Sequence, residues 1–332
     1  MSAPSLNVGI IGCGLIGNKR AKALGASRLV IVADTHKPSA DRLAAGFPGC
    51  VATNDPQAVI SHPDVQLVII ATTNDSLAPL ALAAVRRGKH VLVEKPAARQ
   101  AAELRPVVDA AKRANVIVKV GFNHRFHPAF LKAREIWESG VCGPLMFIRA
   151  RYGQGGRLGM EKEWRGKRAI AGGGEMLDQG VHLIDLARWF AGDFVKVDGH
   201  VARFFWQWEV EDNGFAMLQT AGGQMAWLHA SCTEWKNLFS FEIYGRDAKL
   251  HLEGLGGSYG VERLTHYQML PQMGPPDTTI WEYPGEDRSW QREYDHLLAC
   301  VIDGTPVLGG LEDALAALTI VDRLYEKAAS HA

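Results

Sequence analysis

The sequence has no excess of either charge: 36 lysines and arginines balance 36 aspartates and glutamates over 332 residues. A chain without a global field does not draw nucleic acid or an anionic membrane to itself, so neither is expected as a partner. No apolar run approaches the ~18 residues that a bilayer span requires, because the longest hydrophobic stretches are short and end at glycine or charge. From Met1 to the apolar run that begins at Leu6 there is no basic segment, long apolar stretch or cleavage site. No export leader is therefore expected, and the expected location is the cytoplasm. Cysteine is also sparse. Cys13, Cys50, Cys142, Cys232 and Cys300 make no CxxC pair and no zinc spacing, which argues for reduced, buried thiols over a disulfide scaffold or a zinc site. Internal repeats and low-complexity tracts are absent too.

What is present is a chain too long for one ordinary core and, at 47% hydrophobic residues, rich enough for two. Up to about residue 122, short β-branched runs alternate with helical segments, as a parallel sheet with crossover helices requires. The expected strands are Leu6–Ile11, Leu29–Ala33, Leu67–Ala71, Val91–Val93 and Val116–Val120, several apolar on both faces. The expected helices are Leu15–Leu24, Leu77–Arg87 and Ala98–Ala114. Beyond that the texture changes to a helix near Pro128–Glu138, a strand near Leu145–Tyr152, a Gly-rich loop and a helix near Gly174–Phe190. Strand-like runs follow at Phe194–Phe205, Gly214–Gln219, Gln224–Cys232, Phe239–Gly245 and Lys249–Glu253, joined by short turns that imply a mainly antiparallel sheet. Helical patterns around Trp290–Ile302 and Leu311–Ala329 close the chain. The expected fold class is α/β: a doubly wound parallel Rossmann sheet over residues 1–122, then an α+β domain with a large, mainly antiparallel open sheet over 123–332.

Gly12-Cys13-Gly14-Leu15-Ile16-Gly17 follows the first strand and opens the first helix. Gly12 allows the tight turn, Gly14 a close approach of the backbone to a pyrophosphate, and Gly17 close packing of helix on strand. The helix N-terminus adds unpaired N–H groups and a positive dipole. Asp34, at the end of the second strand, is placed to accept from the ribose hydroxyls. A 2′-phosphate would meet a like charge there, so NAD is favoured over NADP, with His36 and Lys37 nearby to soften the discrimination. The competing reading is an aspartate that caps the following turn.

Glu94-Lys95-Pro96 lies at the carboxyl end of a strand, the edge where open α/β sheets bind ligands. In Gly172-Gly173-Gly174-Glu175-Met176-Leu177-Asp178-Gln179-Gly180-Val181-His182, a helix starting in the glycines sets Asp178 and His182 on one face, with Glu175 and Asp185 near the same stripe. That arrangement suits a site wall. It is also compatible with a plain helix-stabilising pair, a buried satisfied histidine, or a metal set of Glu175, Asp178 and His182. No metal is expected, because no further His or Cys cluster supplies the missing ligands.

These segments, with Gly121-Phe122-Asn123-His124-Arg125-Phe126 and Trp164-Arg165, occur in an order that resembles the glucose–fructose oxidoreductase, inositol dehydrogenase and rhizopine-catabolism family, Gfo/Idh/MocA. The resemblance implies a Rossmann domain, a C-terminal α/β domain whose open sheet often serves homo-oligomerisation, and a site between them. It implies catalytic roles for Lys95, Asp178 and His182. Where the family often shows ATPNxxH, this chain reads Ala71-Thr72-Thr73-Asn74-Asp75-Ser76-Leu77. Thr72, Thr73 and Asn74 are still implied to border the cofactor, together with Glu94, Lys95 and Asn123.

The chemistry then expected is oxidation of a secondary hydroxyl of a sugar or cyclic polyol, with His182 as base, Asp178 orienting it and Lys95 stabilising negative charge on oxygen. Asn123, Arg125, Trp164, Arg165, Trp235, Lys236 and Asn237 mix aromatic and polar groups, as a sugar ring demands. Arg157 and Arg168 raise an anionic substituent, such as a phosphate or nucleotide, as an option. The rival functions are an NAD-dependent glycosidase or lyase that oxidises transiently, and a non-catalytic NAD- or sugar-binding regulator.

Overall fold

The computed structural model describes residues 5–272 and 274–330. The chain divides into two compact units, Met1–Asn123 with Trp290–Leu315, and His124–Ser289 with Ala316–Ala332.

The first unit begins with β1 (Asn7–Ile11), α1 (Leu15–Lys22), β2 (Arg28–Ala33), α2 (Lys37–Ala44), β3 (Val51–Thr53), α3 (Pro56–Ser61), β4 (Leu67–Ile70), α4 (Asn74–Arg86), β5 (His90–Val93), α5 (Ala101–Ala114) and β6 (Val118–Val120). Its sheet runs β3-β2-β1-β4-β5-β6, and every pairing is parallel. The strand order reverses between β1 and β4, so the crevice that serves ligands in such sheets opens at their carboxyl ends. All four residues of β4 have 0% exposure, the mark of a strand covered on both faces. Helix α5 buries Ala101, Leu104, Val107, Val108 and Ala111 at three- and four-residue spacing and stops at Asn115, which takes the left-handed conformation.

Three elements of this unit lack an expected counterpart: α2, β3 and α3. Strand β3 has only three residues, two of them half-buried, so it leaves almost no apolar signature. Helix α3 starts in Asp55-Pro56, where the Asp55 carboxylate accepts from the Gln57 N–H at 2.8 Å, an N-cap with proline at the first turn.

In the second unit come α6 (Pro128–Glu138), β7 (Leu145–Gly153), α7 (Arg168–Ala171), α8 (Val181–Ala191), β8 (Phe194–Ala202), β9 (Asn213–Thr220), β10 (Met225–Ser231), β11 (Leu238–Gly245), β12 (Ala248–Glu253), β13 (Glu262–Gln268) and β14 (Asp277–Tyr283). They form one sheet in the order β14-β13-β12-β11-β7-β10-β9-β8, antiparallel except for the pair β7 and β10. Register explains its two faces. Ala216, Leu228, Ala150, Phe241, Leu252 and Leu264 stand opposite one another in a row across six strands, each 0–1% exposed. Each large member contributes ~1.5–3 kcal/mol by burial. The adjacent row, Met217, Trp227, Arg149, Glu242, His251, Thr265 and Ile280, points the other way, with Met217, Trp227 and Ile280 exposed. Strands β13 and β14 were not expected, because β14 buries no residue, β13 buries the polar Glu262 and Thr265, and no apolar run marks either.

Helices α9 (Ser289–Ile302) and α10 (Leu311–Ser330) end the chain. Tyr294, Leu297 and Leu298 of α9 join the core of Val8, Ile10, Leu67, Ile69 and Leu92 in the first unit. No helix among the described residues is long and apolar enough to cross a membrane.

Candidate active site

In the first unit the glycine turn leaves β1 at its carboxyl end. Gly12 has φ +95°, and a Cβ there would lie 2.3 Å from the Ala71 carbonyl oxygen. A Cβ on Gly17 would meet the Gly12 oxygen at 1.9 Å, so the packing of α1 against the turn requires glycine. Gly14 has nothing within 4 Å of its Cβ position, and the first residue of α1, Leu15, is 75% exposed. The helix N-terminus therefore faces open space, as a bound pyrophosphate would need. The Asn18 amide locks the turn from inside by donating to the Cys13 and Gly14 carbonyls at 2.9 and 2.8 Å.

Asp34 bridges the turn to the segment after β2. Its Oδ2 accepts from the Cys13 N–H at 2.7 Å and its Oδ1 from the His36 N–H at 2.8 Å. The turn-capping reading is thus part of what Asp34 does. Each carboxylate oxygen keeps further acceptor capacity for a ribose hydroxyl, so the loop and the acid fit an adenosine ribose without a 2′-phosphate.

Thr72 and Thr73 follow β4, and Asn74 is the first residue of α4. The Thr73 hydroxyl donates to Asp75 at 2.6 Å. Glu94, expected at the cofactor, has its carboxylate on Arg20 of α1 at 2.6 Å, and Arg20 also reaches Glu293 of α9 at 2.5 Å. Arg20 and Glu293 have side-chain exposures of 1% and 0%, and the Trp290 ring lies 4.4 Å from the guanidinium carbon. The role of Glu94 is then to tie the strand end that carries Lys95 to the helix that follows the phosphate turn. Lys95 itself is half-buried, its peptide bond to Pro96 is cis, and Ala97 has φ +73°. Asn123 is buried at the carboxyl side of β6.

In the second unit the expected helix over Gly174–Phe190 is not one α-helix. Met176–Gly180 forms a π turn, and α8 starts at Val181. A buried carboxylate caps the start of the π turn. Glu211 accepts from the Gly174 and Met176 N–H groups at 3.0 and 3.2 Å and from the Tyr325 hydroxyl at 2.6 Å. Its main-chain oxygen takes the Glu175 N–H and lies 1.8 Å from where a Gly174 Cβ would be. Burial pushes the Glu211 carboxyl up, against these bonds. The π turn holds more residues per turn than an α-helix, which brings side chains four positions apart, Asp178 and His182, closer to one line.

Arg165 meets Asp178, Nε to Oδ2 at 3.4 Å, and its guanidinium lies 4.7 Å from the Trp164 ring. His182, 3% exposed, stacks on His124 with centroids 3.9 Å apart. Tyr152, at the end of β7, is 5.3 Å from His124 and 6.2 Å from His182, and it hydrogen-bonds Tyr259. Burial, then Tyr259, Asp178 and Glu175, hold the Tyr152 phenol well above its ordinary range. Gln154 donates to Glu175 at 3.2 Å. His124, Tyr152, Tyr259 and Gln154 had no role assigned from sequence. The one available signal was the position of Tyr152, at a strand end before the Gly-rich loop.

The remaining expected substrate residues of this unit are Arg125, Trp235, Lys236 and Asn237. Arg125 is buried, and its guanidinium pairs with both oxygens of Asp185 at 2.8 and 2.6 Å, 5.5 Å from the Trp189 ring. Both Arg125 and Asp185 thereby serve packing of α8. Trp235 and Lys236 are exposed on the loop after β10. Asn237 donates to Ser258 at 2.6 Å. Arg157 pairs with Glu163, and Arg168 donates to the Glu209 carbonyl at 2.8 Å, so the Arg157 cation faces a carboxylate and the Arg168 cation a main-chain carbonyl. Among the described residues no group of three or more His, Cys, Asp or Glu is arranged to hold a metal ion.

A doubly wound sheet with this glycine turn, joined to a unit that gathers imidazole, carboxylate and phenol, defines a dinucleotide-binding oxidoreductase architecture. Residues 6–122 match the model of an oxidoreductase family with an NAD-binding Rossmann fold, and residues 130–251 match the GFO/IDH/MocA C-terminal domain. The chain belongs to the Gfo/Idh/MocA oxidoreductases, and its first unit carries their NAD-binding Rossmann domain. It is 32% identical over 232 residues to a levoglucosan dehydrogenase of Pseudarthrobacter phenanthrenivorans, a match covering 66% of this chain and 60% of that protein. Inositol 2-dehydrogenase 2 of Saccharopolyspora erythraea is 28% identical over 299 residues, 87% of this chain and 80% of that protein. A levoglucosan dehydrogenase solved in complex with NADH and levoglucosan superposes with a TM-score of 0.90 at 26% identity, covering 99% of this chain and 98% of that one.

Proposed function

We propose that the protein is an NAD-dependent dehydrogenase that oxidises a secondary hydroxyl of a neutral sugar or cyclic polyol. The observation that carries this reading is the grouping in the second unit of His182, stacked on His124, with Tyr152 beside both rings and Asp178 one turn before His182, paired with Arg165. Family membership and the dehydrogenases named above support it.

Gly12, Gly14, Leu15, Ile16, Gly17 and Asp34 would hold the dinucleotide, with Thr72, Thr73, Asn74, Lys95 and Asn123 along its border. When bound, NAD supplies the hydride acceptor. His182 takes the proton from the hydroxyl oxygen, a task suited to an imidazole near neutral pH. Asp178 orients that imidazole and favours its protonated form, and Lys95 donates to the reacting oxygen as negative charge develops. Trp164, Arg165, Trp235 and Lys236 face the substrate. The pairing of Arg157 with Glu163 supports a neutral substrate over an anionic one.

A homo-oligomer built through the outer face of the eight-stranded sheet is part of the proposal. Exposed Met146, Phe147, Met217 and Trp227 support it, as does the ordered Arg149–Glu242–Lys249 network on the same face. A cytoplasmic location is supported by five unpaired cysteines.

The test is to follow NADH formation with inositols, free sugars, sugar phosphates and nucleotide sugars, with product analysis of every hit. Oxidised product in step with NADH is expected. Cleavage without net NADH would establish the transient-oxidation reading, and tight NAD binding with no turnover on any compound would leave a regulator.

A further inference from the structure

An aromatic patch in the second unit joins Trp235 to residues that the reaction proposed above does not use. Phe204 is 68% exposed, Phe205 49% and Trp235 71%. Exposed aromatic residues gathered this closely are uncommon on a surface facing water, and these are held in place by buried polar groups. Asp212, 0% exposed, accepts from the N–H groups of Phe204, Phe205 and Trp206 at 2.9, 2.7 and 2.9 Å. Burial alone would raise its pKa, yet these bonds and the one from Asn213 bring it below the usual carboxylate range. Beneath the patch Trp206 and Trp208 stack at 5.8 Å, and the Trp206 indole donates to the Cys232 carbonyl at 3.0 Å. A Cβ on Gly156 would lie 2.3 Å from the Trp206 ring, so the Gly-rich loop is closed down on it. Trp235 has φ +55°, a left-handed conformation that costs a non-glycine residue about 1–2 kcal/mol.

The rings of Phe205 and Trp235 meet at 85° with centroids 5.0 Å apart. This is a right-angled corner of two aromatic walls, where a flat ring can lie on one face and present its edge to the other. Hydrogen bonds link the corner to the reaction residues. Glu234, beside Trp235, donates its N–H to the Gln154 carbonyl, and the Gln154 amide donates to Glu175. Cys232, which receives the Trp206 indole on its carbonyl, has Glu175 and Asp178 as close electrostatic neighbours.

Resting on the sugar-dehydrogenase reading, we infer that this corner is a second-ring subsite: the substrate is a glycoside, and a ring joined to the oxidised sugar stacks on Phe205 and Trp235. An aryl aglycone and a second pyranose both present a flat apolar face and share this chemistry. The rigid corner selects for a ring over a methyl group by the contact area that only a ring can fill.

The test measures kcat/KM on the NAD-loaded protein with phenyl and methyl glycosides, both anomers, of glucose, galactose and mannose, and with cellobiose and maltose beside free glucose. In parallel, quenching of tryptophan fluorescence by each compound gives a Kd that needs no turnover. At least one phenyl/methyl pair should show roughly tenfold preference for phenyl. Phe205→Ala should abolish that preference, with methyl glycosides within twofold of wild type, and Phe205→Trp should restore it. A disaccharide that shows the same dependence on Phe205 identifies a second sugar as the occupant, and phenyl alone identifies an aryl group. The inference is overturned if no pair shows a Phe205-dependent preference in rate or Kd, or if Phe205→Ala and Phe204→Ser change only the oligomeric state, which would make the patch a contact between copies. Phenyl-selective quenching without turnover would sink the dehydrogenase reading and leave the subsite standing.

Discussion

Replacing Glu293 by alanine perturbs the most deeply buried charge cluster of the first unit. Arg20 reaches Glu94 at 2.6 Å and Glu293 at 2.5 Å, and Lys119, 0% exposed, donates to the Leu308 carbonyl. Burial pushes the Glu293 carboxyl up, while Arg20 and Lys119 pull it back. The intact pair therefore adds little net stability, since desolvation offsets attraction. Removing one partner is different, because the guanidinium stays in the dry interior with half its compensation. The expected loss is ~3–5 kcal/mol, or roughly 6–20 °C in melting temperature for a unit of this size. The assay is urea and thermal unfolding of the purified protein at neutral pH, followed by near-ultraviolet circular dichroism. A companion variant, Arg20→Met with Glu94→Gln and Glu293→Leu, removes the guanidinium with both of its carboxylates, leaves Lys119 on the Leu308 carbonyl, and should recover most of the loss. A Glu293→Ala protein within ~1 kcal/mol of wild type, or a triple variant no better than the single one, refutes the argument.

Lys95→Ala and His182→Ala are each expected to lower kcat by about two or more orders of magnitude while leaving NAD affinity nearly intact; steady-state rates beside calorimetric NAD titration check both, and near-normal turnover defeats the scheme. Asp34→Ala should weaken NAD binding and spare NADP, and because Asp34 also holds the Cys13 N–H, the variant should lose a little thermal stability as well; unchanged NAD affinity speaks against a ribose contact. His296 gives a pH effect. Burial, with Lys119 nearby, pushes its imidazole from the ordinary 6.5 down to about 4. A lowered folded pKa means that the neutral form is favoured in the fold, so this contribution is complete above about pH 6.5 and lost as pH falls toward 4. Its full size is about 3 kcal/mol, and the stability gap between wild type and His296→Gln should shrink by about 2 to 3 kcal/mol between pH 7.5 and 4.5 in urea titrations; a constant gap counts against it.

The parts of this molecule legible in the sequence are those in which one local rule decides. The glycine turn announces itself because Gly12 and Gly17 leave no room for a side chain. Strands β1, β2, β4 and β5 stand out as continuous apolar runs because both faces are covered. Strand β14 has no buried residue, and β13 buries the polar Glu262 and Thr265, so neither shows the alternation that reads as strand. The cap on the π turn at Met176–Gly180 was hidden for another reason: Glu211 is 31 or more residues away in sequence and accepts from the backbone N–H groups of Gly174 and Met176. Glu94 and Arg125 carry the same lesson. Their buried partners, Arg20 and Asp185, are ones that no local pattern names.

Cys13 sits at the second position of the phosphate turn, 3% exposed, with its thiol toward the Ala33 carbonyl at 3.4 Å. Burial and the neighbouring Asp34 push it up to about 12. Nucleophilic sulfur chemistry runs through the thiolate, so peroxide and alkylating agents find almost no reactive form there at neutral pH. A redox shift in the surroundings would leave the nucleotide loop chemically unaltered, even though a sulfur atom lies at its centre.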